Sequence, residues 1–448
     1  MKKRTKIILI IIAIIIISSA VAMYLTYKSI FGTENIVGKI EIIPEAEKEL
    51  PQLTKDSADW LNWRGTNLEG KSICKGVNNN FIMKPKILWR VDYLCHGTGT
   101  ASWSAPVVQG NRLIITGRDE KNDLIFCINS QTGKLIWHSS YAANAEDGHG
   151  SGPRATPCID ENKVYTFGRS GDLACWQLED GKLRWKKNVK DEGGEEPGWG
   201  FSSSPIIVED KIFVQAGGSA LIIAYNKNDG TVIWKSLSGN AGYAAIVPVV
   251  IENEKRLLAY HGKALSCLDL QTGKEYYNIP WETDYGVNAT TPVYDNGILF
   301  HTSEYGMGGQ ALKLFKDKYQ LLWKSKVIAS HHSDPVLING YLYGYSGQST
   351  QNRGKFKCVE LITGKEMWST KEIGWGTTAY VDSLLICLDI KGNLHCIKPN
   401  PTRFEKVGSN AIISDIVSNH AWTVPVVANR KLYIRHMQCL ICIDLMAS

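Results

Sequence analysis

Seven stretches of this 448-residue chain, together rich in Gly, His and Trp, gather the residue types that do chemistry: 141–154, 189–200, 282–290, 303–310, 329–334, 372–376 and 418–422. They hold His149, Arg154, Trp199, Tyr305, His331, His332, Asp334, Trp375 and Trp422. Imidazoles can carry protons or bind metals, a guanidinium can grip an anion, and indoles and phenols can stack on a flat ligand. Long loops with this composition are disproportionately functional, so these nine residues form the candidate binding set for a ligand or partner. The adjacent pair His331 and His332 has no further ligand at recognisable metal spacing, so no metal site is assigned. There is no G-x-S-x-G, no H-E-x-x-H, no P-loop and no dinucleotide-binding glycine motif, and no catalytic residue is assigned. Glu192, Glu195 and Glu196 read as a solvated acidic loop.

The eleven cysteines look reactive, yet six of them (Cys127, Cys175, Cys267, Cys358, Cys396 and Cys442) recur at one place in a repeat, where Ala224 also stands. A place that accepts cysteine or alanine asks for a small buried side chain. Cys439 and Cys442 form a C-x-x-C, but on a strand that offset sends the two thiols to opposite faces. Cys74 and Cys95 are left open as a disulfide pair.

These residues need a scaffold, and self-similarity supplies it. An eleven-residue phrase places a cysteine or alanine ten residues before an aromatic, with a Thr-Gly or Asp-Gly turn between. It occurs at 127–137, 175–185, 224–234, 267–277 and 358–368, with weaker copies at 313–323 and 396–406. Upstream of each copy a β-branched run follows a proline: Pro106, Pro157, Pro205, Pro248, Pro292, Pro335 and Pro425, with Ala379 read as the equivalent in the seventh copy. A period of 43–51 residues with four short strands per unit predicts an all-β, eight-bladed β-propeller of four-stranded antiparallel blades over residues 59–448. The last unit lacks an outer strand, and the segment around Trp89 supplies one, so both ends of the chain should complete one blade. The repeated Trp89, Trp137, Trp185, Trp234, Trp323 and Trp368 should dock each blade on the next. Loops between blades, together with each blade's middle loop, share one face. The nine candidates lie there, opposite the terse glycine turns.

The chain opens with a basic tail (1–6), whose Lys2, Lys3, Arg4 and Lys6 account for most of the net charge of +6. No basic stripe remains to suggest nucleic acid. Residues 7–25 carry no charge; at ~1.5 Å per residue they span roughly 28 Å, close to the ~30 Å hydrocarbon core, and read as one transmembrane anchor. A cleaved signal peptide ending near Ala22 is the competing reading. The basic tail should stay cytoplasmic. Residues 26–58 read as a linker.

The repeated phrase resembles the tryptophan-docking repeat of the pyrroloquinoline quinone (PQQ) propellers, the superfamily of quinoprotein alcohol dehydrogenases and BamB-like scaffolds. The opening DWLNWRGTNLEG at 59–70 is similar to the start of PQQ-binding-like β-propeller repeat proteins, and the likeness runs from about Asp59 to Leu445. It implies either of two roles. One is a non-catalytic module that grips a protein, polymer or glycan, tethered by a single pass in a bacterial inner membrane with its propeller on the periplasmic side. The other is an oxidoreductase that uses PQQ with Ca²⁺ on alcohols or sugars. Two family marks are missing: the adjacent cysteine pair of the dehydrogenases, and the lipid-anchor cysteine of the scaffolds.

Overall fold

The computed structural model describes residues 17–19, 21, 43–49, 52, 58–144, 149–349, 354–413 and 421–446. Nearly all of the transmembrane stretch 7–25 and most of the linker 26–58 lie outside these residues. Among the described residues no helix is long and apolar enough to cross a membrane.

Short alternating strands punctuated by two-residue hairpins cannot bury both faces alone, so they stack radially. Eight antiparallel sheets result. Their innermost strands are, in chain order, Val107–Gln109, Cys158–Asp160, Ile206–Val208, Val247–Ile251, Val293–Asp295, Val336–Ile338, Gly376–Val381 and Val426–Ala428. These define blades 1 to 8. The ring closes as the repeat requires: Lys86–Val91 pairs antiparallel with Cys439–Asp444, Trp89 opposite Cys442. Blade 8 is thus built from both ends of the chain.

Each repeated indole crosses to the following blade. Trp89 donates Nε1–H to the carbonyl of Ser130 (3.3 Å), Trp137 to Leu178 (3.0 Å) and Trp185 to Lys227 (3.3 Å). Trp234 donates to Leu270 (3.3 Å), Trp323 to Leu361 (2.8 Å) and Trp368 to Asn400 (2.8 Å). Five of these indoles pack against a turn glycine of that next blade, and a Cβ on Gly181 would sit 2.4 Å from Trp137; Trp368 packs on Phe404 instead. In blade 4 Tyr277 takes the same place and donates to Phe315 O. The recurrent cysteine lies directly across the ladder from the aromatic, as in Cys127 opposite Trp137 and Cys358 opposite Trp368. Only a small residue leaves room there.

Register corrects three sequence alignments. In blade 5 the small residue opposite Trp323 is Ala311, not Lys313, because the hairpin is two residues longer. In blade 7 Thr378, not Ala379, stands where the other blades have proline: Val381 pairs with Leu384 as Ile251 pairs with Glu254. In the same blade Gly408, not Lys406, lies opposite Cys396. The indole missing from that seam is replaced by a distant segment of the same chain. A 3₁₀ turn, Phe81–Met83, packs there, and a Cβ on Gly408 would meet Ile82 at 2.8 Å.

All eleven cysteines are buried and none is disulfide-bonded, so Cys74 and Cys95 form no disulfide. Cys439 and Cys442 enter different core clusters, as their offset requires. Part of the presumed linker is docked: Glu47 N–H donates to Leu135 O (2.9 Å), and Ile43 and Ala46 pack on the core beside blade 1.

Residues 58–72 form a strap along the channel-facing edges. Trp60 and Val108 of blade 1 exchange backbone hydrogen bonds, Ile159 N–H of blade 2 donates to Leu61 O, and Tyr380 N–H of blade 7 donates to Gly70 O. Lys71–Ser72 adds a parallel fifth strand to blade 7. Asp59 accepts from Gly110 N–H, and Arg64 reaches Pro335 O in blade 6. One segment thereby touches blades 1, 2, 6 and 7.

Candidate functional site

Every connection between blades carries at least one aromatic or imidazole ring. In ring order these include Trp103, His149, Trp199, Tyr243, Tyr285, the pair His331 and His332, Trp375, and Trp422. They form a chain of rings. Trp199 lies edge-on to Tyr243 and to Tyr285, with centroids 6.0 Å away in both cases. Tyr285 meets Tyr305 at 6.0 Å, Tyr305 meets His331 at 5.4 Å, and His331 meets His332 at 4.8 Å. His332 touches Trp375 (4.6 Å) and Trp422 (5.2 Å); Trp422 touches Trp103 (4.9 Å) and His149 (6.4 Å). His332 and Trp422 belong to connections separated by two blades, and so do Trp422 and His149. Side chains that far apart in the ring meet only near its axis, so these rings crowd the channel mouth on the long-loop face.

Hydrogen bonds lock part of this surface. The Trp103 indole donates to His149 O (2.8 Å). The Tyr305 hydroxyl lies 3.2 Å from His331 Nε2, and Ser349 Oγ lies 3.3 Å from the other ring nitrogen. Burial holds the His331 imidazole down to about 4, against the pull of Glu304, so it is neutral at pH 7. Burial also raises the Tyr305 hydroxyl, with the carboxylates of Glu304 and Asp284 acting in the same direction. Tyr285 and Tyr305 both adopt left-handed backbone, with φ of 61° and 56°. Bulky residues adopt that conformation only where the surroundings enforce it. Tyr285 is 77% exposed and presents its ring to solvent.

The nine sequence candidates therefore divide. His149, Trp199, Tyr305, His331, His332 and Trp422 join the chain of rings, and Arg154 occupies the position three residues before Pro157 that Trp103, His332 and Trp422 occupy before their own prolines or the equivalent alanine-proline pair. Trp375 is fully buried and donates to Gly347 O (2.8 Å), which makes it a packing residue. Asp334 turns away from the loop face. It pairs with Arg64 of the strap at 3.4 Å and accepts from Thr291 N–H at 2.7 Å. Burial is the largest influence on both partners, pushing the carboxyl up and the guanidinium down, while their mutual attraction opposes it. Trp103, Tyr243 and Tyr285 were missed by sequence reasoning; at least one aromatic or imidazole ring in every connection was the available signal. Among the described residues no three His, Cys, Asp or Glu side chains gather as metal ligands.

A closed ring of eight blades, six of them clamped to the next by an indole, with a strap through its channel defines a PQQ-like β-propeller. The family model for outer membrane protein assembly factor BamB matches residues 121–370, and the chain belongs to that family. It is 21% identical over 323 residues to the Yersinia pestis assembly factor BamB, covering 67% of this chain and 76% of that protein. It is 22% identical over 339 residues to a tetrathionate hydrolase of Acidithiobacillus ferrooxidans, covering 70% of this chain but only 63% of that enzyme. Among solved structures, BamB from Moraxella catarrhalis superposes with a TM-score of 0.56 at 14% identity, covering 76% of this chain and 94% of that one. Quinohemoprotein alcohol dehydrogenase from Comamonas testosteroni superposes with a TM-score of 0.62 at 12% identity, covering 88% and 81%. At such identities the structural likeness speaks to fold alone.

Proposed function

We propose that this protein is a non-catalytic binding module, tethered outside the cytoplasm by residues 7–25, that holds a protein, polymer or glycan partner on its long-loop face. The observation that carries this reading is the chain of rings at the channel mouth, with Tyr285 and Tyr305 kept in strained backbone beside an open surface. Aromatic side chains give large contact area at low entropic cost and dominate interface energetics. The BamB family relationship supports a protein partner.

A quinone fits this chain poorly. The sequence has no adjacent cysteine pair, and among the described residues no acidic or imidazole trio gathers for a Ca²⁺ ion. The two readings are separated by titrating the full-length protein with PQQ and Ca²⁺, following absorbance and dye-linked alcohol oxidation. Stoichiometric quinone binding with turnover would overturn the binding-module reading. The positive test places a photo-cross-linking amino acid at Tyr285 or, on the opposite face, at Ile362, which is 52% exposed. A discrete adduct from position 285 and none from 362 is expected in intact cells. The reverse pattern refutes the assignment of the face.

A further inference from the structure

The face of the channel opposite the chain of rings holds a cavity of about 510 Å³, walled on one side by strap residues such as Asn62 and Arg64. Its other walls include Ile207, Val250, Tyr294 and Leu337. These four share one register position. In every blade a two-residue hairpin links the inner strand to the next, and the residue just before the closing pair turns its N–H and C=O toward the axis. The strap proves the point on the other half of the ring. The equivalent residues there are Val108, Ile159 and Tyr380, and each bonds to strap backbone.

Blades 1, 2 and 7 thus have their inner edges paired by a segment of this chain, while blades 3, 4 and 5 present theirs to the cavity. Among the described residues, none pairs with the N–H of Ile207, Val250 or Tyr294; the Val250 carbonyl receives only the Tyr294 hydroxyl, at 2.7 Å. Blade 4 offers the longest such template of the three, five residues at Val247–Ile251 against three in blades 3 and 5. Pro248 lies on it where its missing N–H would face the channel, so the proline costs the blade's own ladder nothing. Val250, next to the hairpin end of this edge, is 56% exposed. The strand itself carries no charged side chain, and although Pro248 removes one edge donor, the unpaired Val250 N–H leaves a template for another strand.

We propose that this half of the channel binds an extended peptide segment of a partner protein by strand addition to Val247–Ile251. The strap's mode of binding argues for the occupant: backbone pairing already holds one extended segment in this channel. The walls mix apolar side chains such as Ile207 and Leu337 with the charged Arg64, Lys255 and Asp295, so the segment they fit alternates apolar and polar side chains. At ~3.3 Å per residue the edge accommodates about five residues. This site lies on the face opposite the rings and stands independently of the reading above.

The test uses the full-length protein in mild detergent and a fluorescent heptapeptide of alternating threonine and valine with a lysine tail. Its twin is N-methylated at every second amide and cannot pair. Fluorescence anisotropy should show saturable binding of the first and at least tenfold weaker binding of the second. Val250→Pro removes a channel-facing N–H and should weaken binding at least tenfold; Val250→Ala keeps it and should change binding less than twofold. Absence of saturable binding, or equal binding of the N-methylated twin, overturns the proposal. That comparison holds even if Val250→Pro fails to fold. A concentration-dependent dimer by sedimentation, lost on peptide addition, would assign the edge to a second copy and equally overturn it.

Discussion

Replacing Arg64 with methionine should loosen the strap and destabilise the whole ring. The side chain is 3% exposed and spans the gap between strap and ring, donating to Pro335 O at 2.9 Å and to Glu69 O at 3.1 Å while facing Asp334 at 3.4 Å. Removing one member of a buried pair leaves the other charge uncompensated, which costs about 3–5 kcal/mol. A propeller of roughly 390 residues has an unfolding entropy near 0.8 kcal/mol/K at about 2.1 cal/mol/K per residue, so the melting temperature should fall by ~4–6 °C. Circular dichroism melts measure this, and limited proteolysis between residues 58 and 72 reports release of the strap directly. The double variant Arg64→Met with Asp334→Leu removes both charges, and it should recover most of the loss because apolar replacements often match a buried pair. An unchanged melt in Arg64→Met, or a double variant less stable than the single one, would show that the pair does not carry the docking.

Three other outcomes are expected. Gly181→Ala should destabilise by roughly 2–4 kcal/mol in denaturant titrations, since the new Cβ lands on Trp137 at a φ of 71°; Gly198→Ala, with open space around it, should cost less than about 0.5 kcal/mol. Ile82→Ala should cost about 2–5 kcal/mol, because this fully buried side chain fills the seam where blade 7 lacks an indole. His331 is neutral when folded, with its imidazole held down to about 4 from 6.5, so its contribution to stability is complete above pH ~6.5 and lost as pH falls toward 4. His331→Gln should therefore flatten the stability profile between those values, with about one proton fewer taken up on acid unfolding.

The repeat made the blades legible, because a small residue, a glycine turn and an indole are each demanded by the same packing contact. Where that contact changes, the pattern misleads. The longer hairpins of blades 5 and 7 moved Ala311 and Gly408 two places from where the spacing put their equivalents. The strap was visible only as a resemblance at 59–70, since irregular chain held by backbone pairing leaves no periodicity. The loop-face rings were legible by residue type. Asp334 was not: its partner lies 270 positions away in the chain, and nothing local distinguishes a carboxylate that pairs inward from one that greets a ligand. Trp375 failed for the same reason, its indole being spent on Gly347 O.

The seam between blades 7 and 8 depends on Phe81–Met83, and blade 8 itself on Lys86–Val91. During synthesis these early residues emerge long before the strands they complete. The cylinder can shut only when the final strand, Cys439–Asp444, has left the ribosome. Until then the first-made segment must wait unpaired, and a nick or truncation at either terminus opens the same joint.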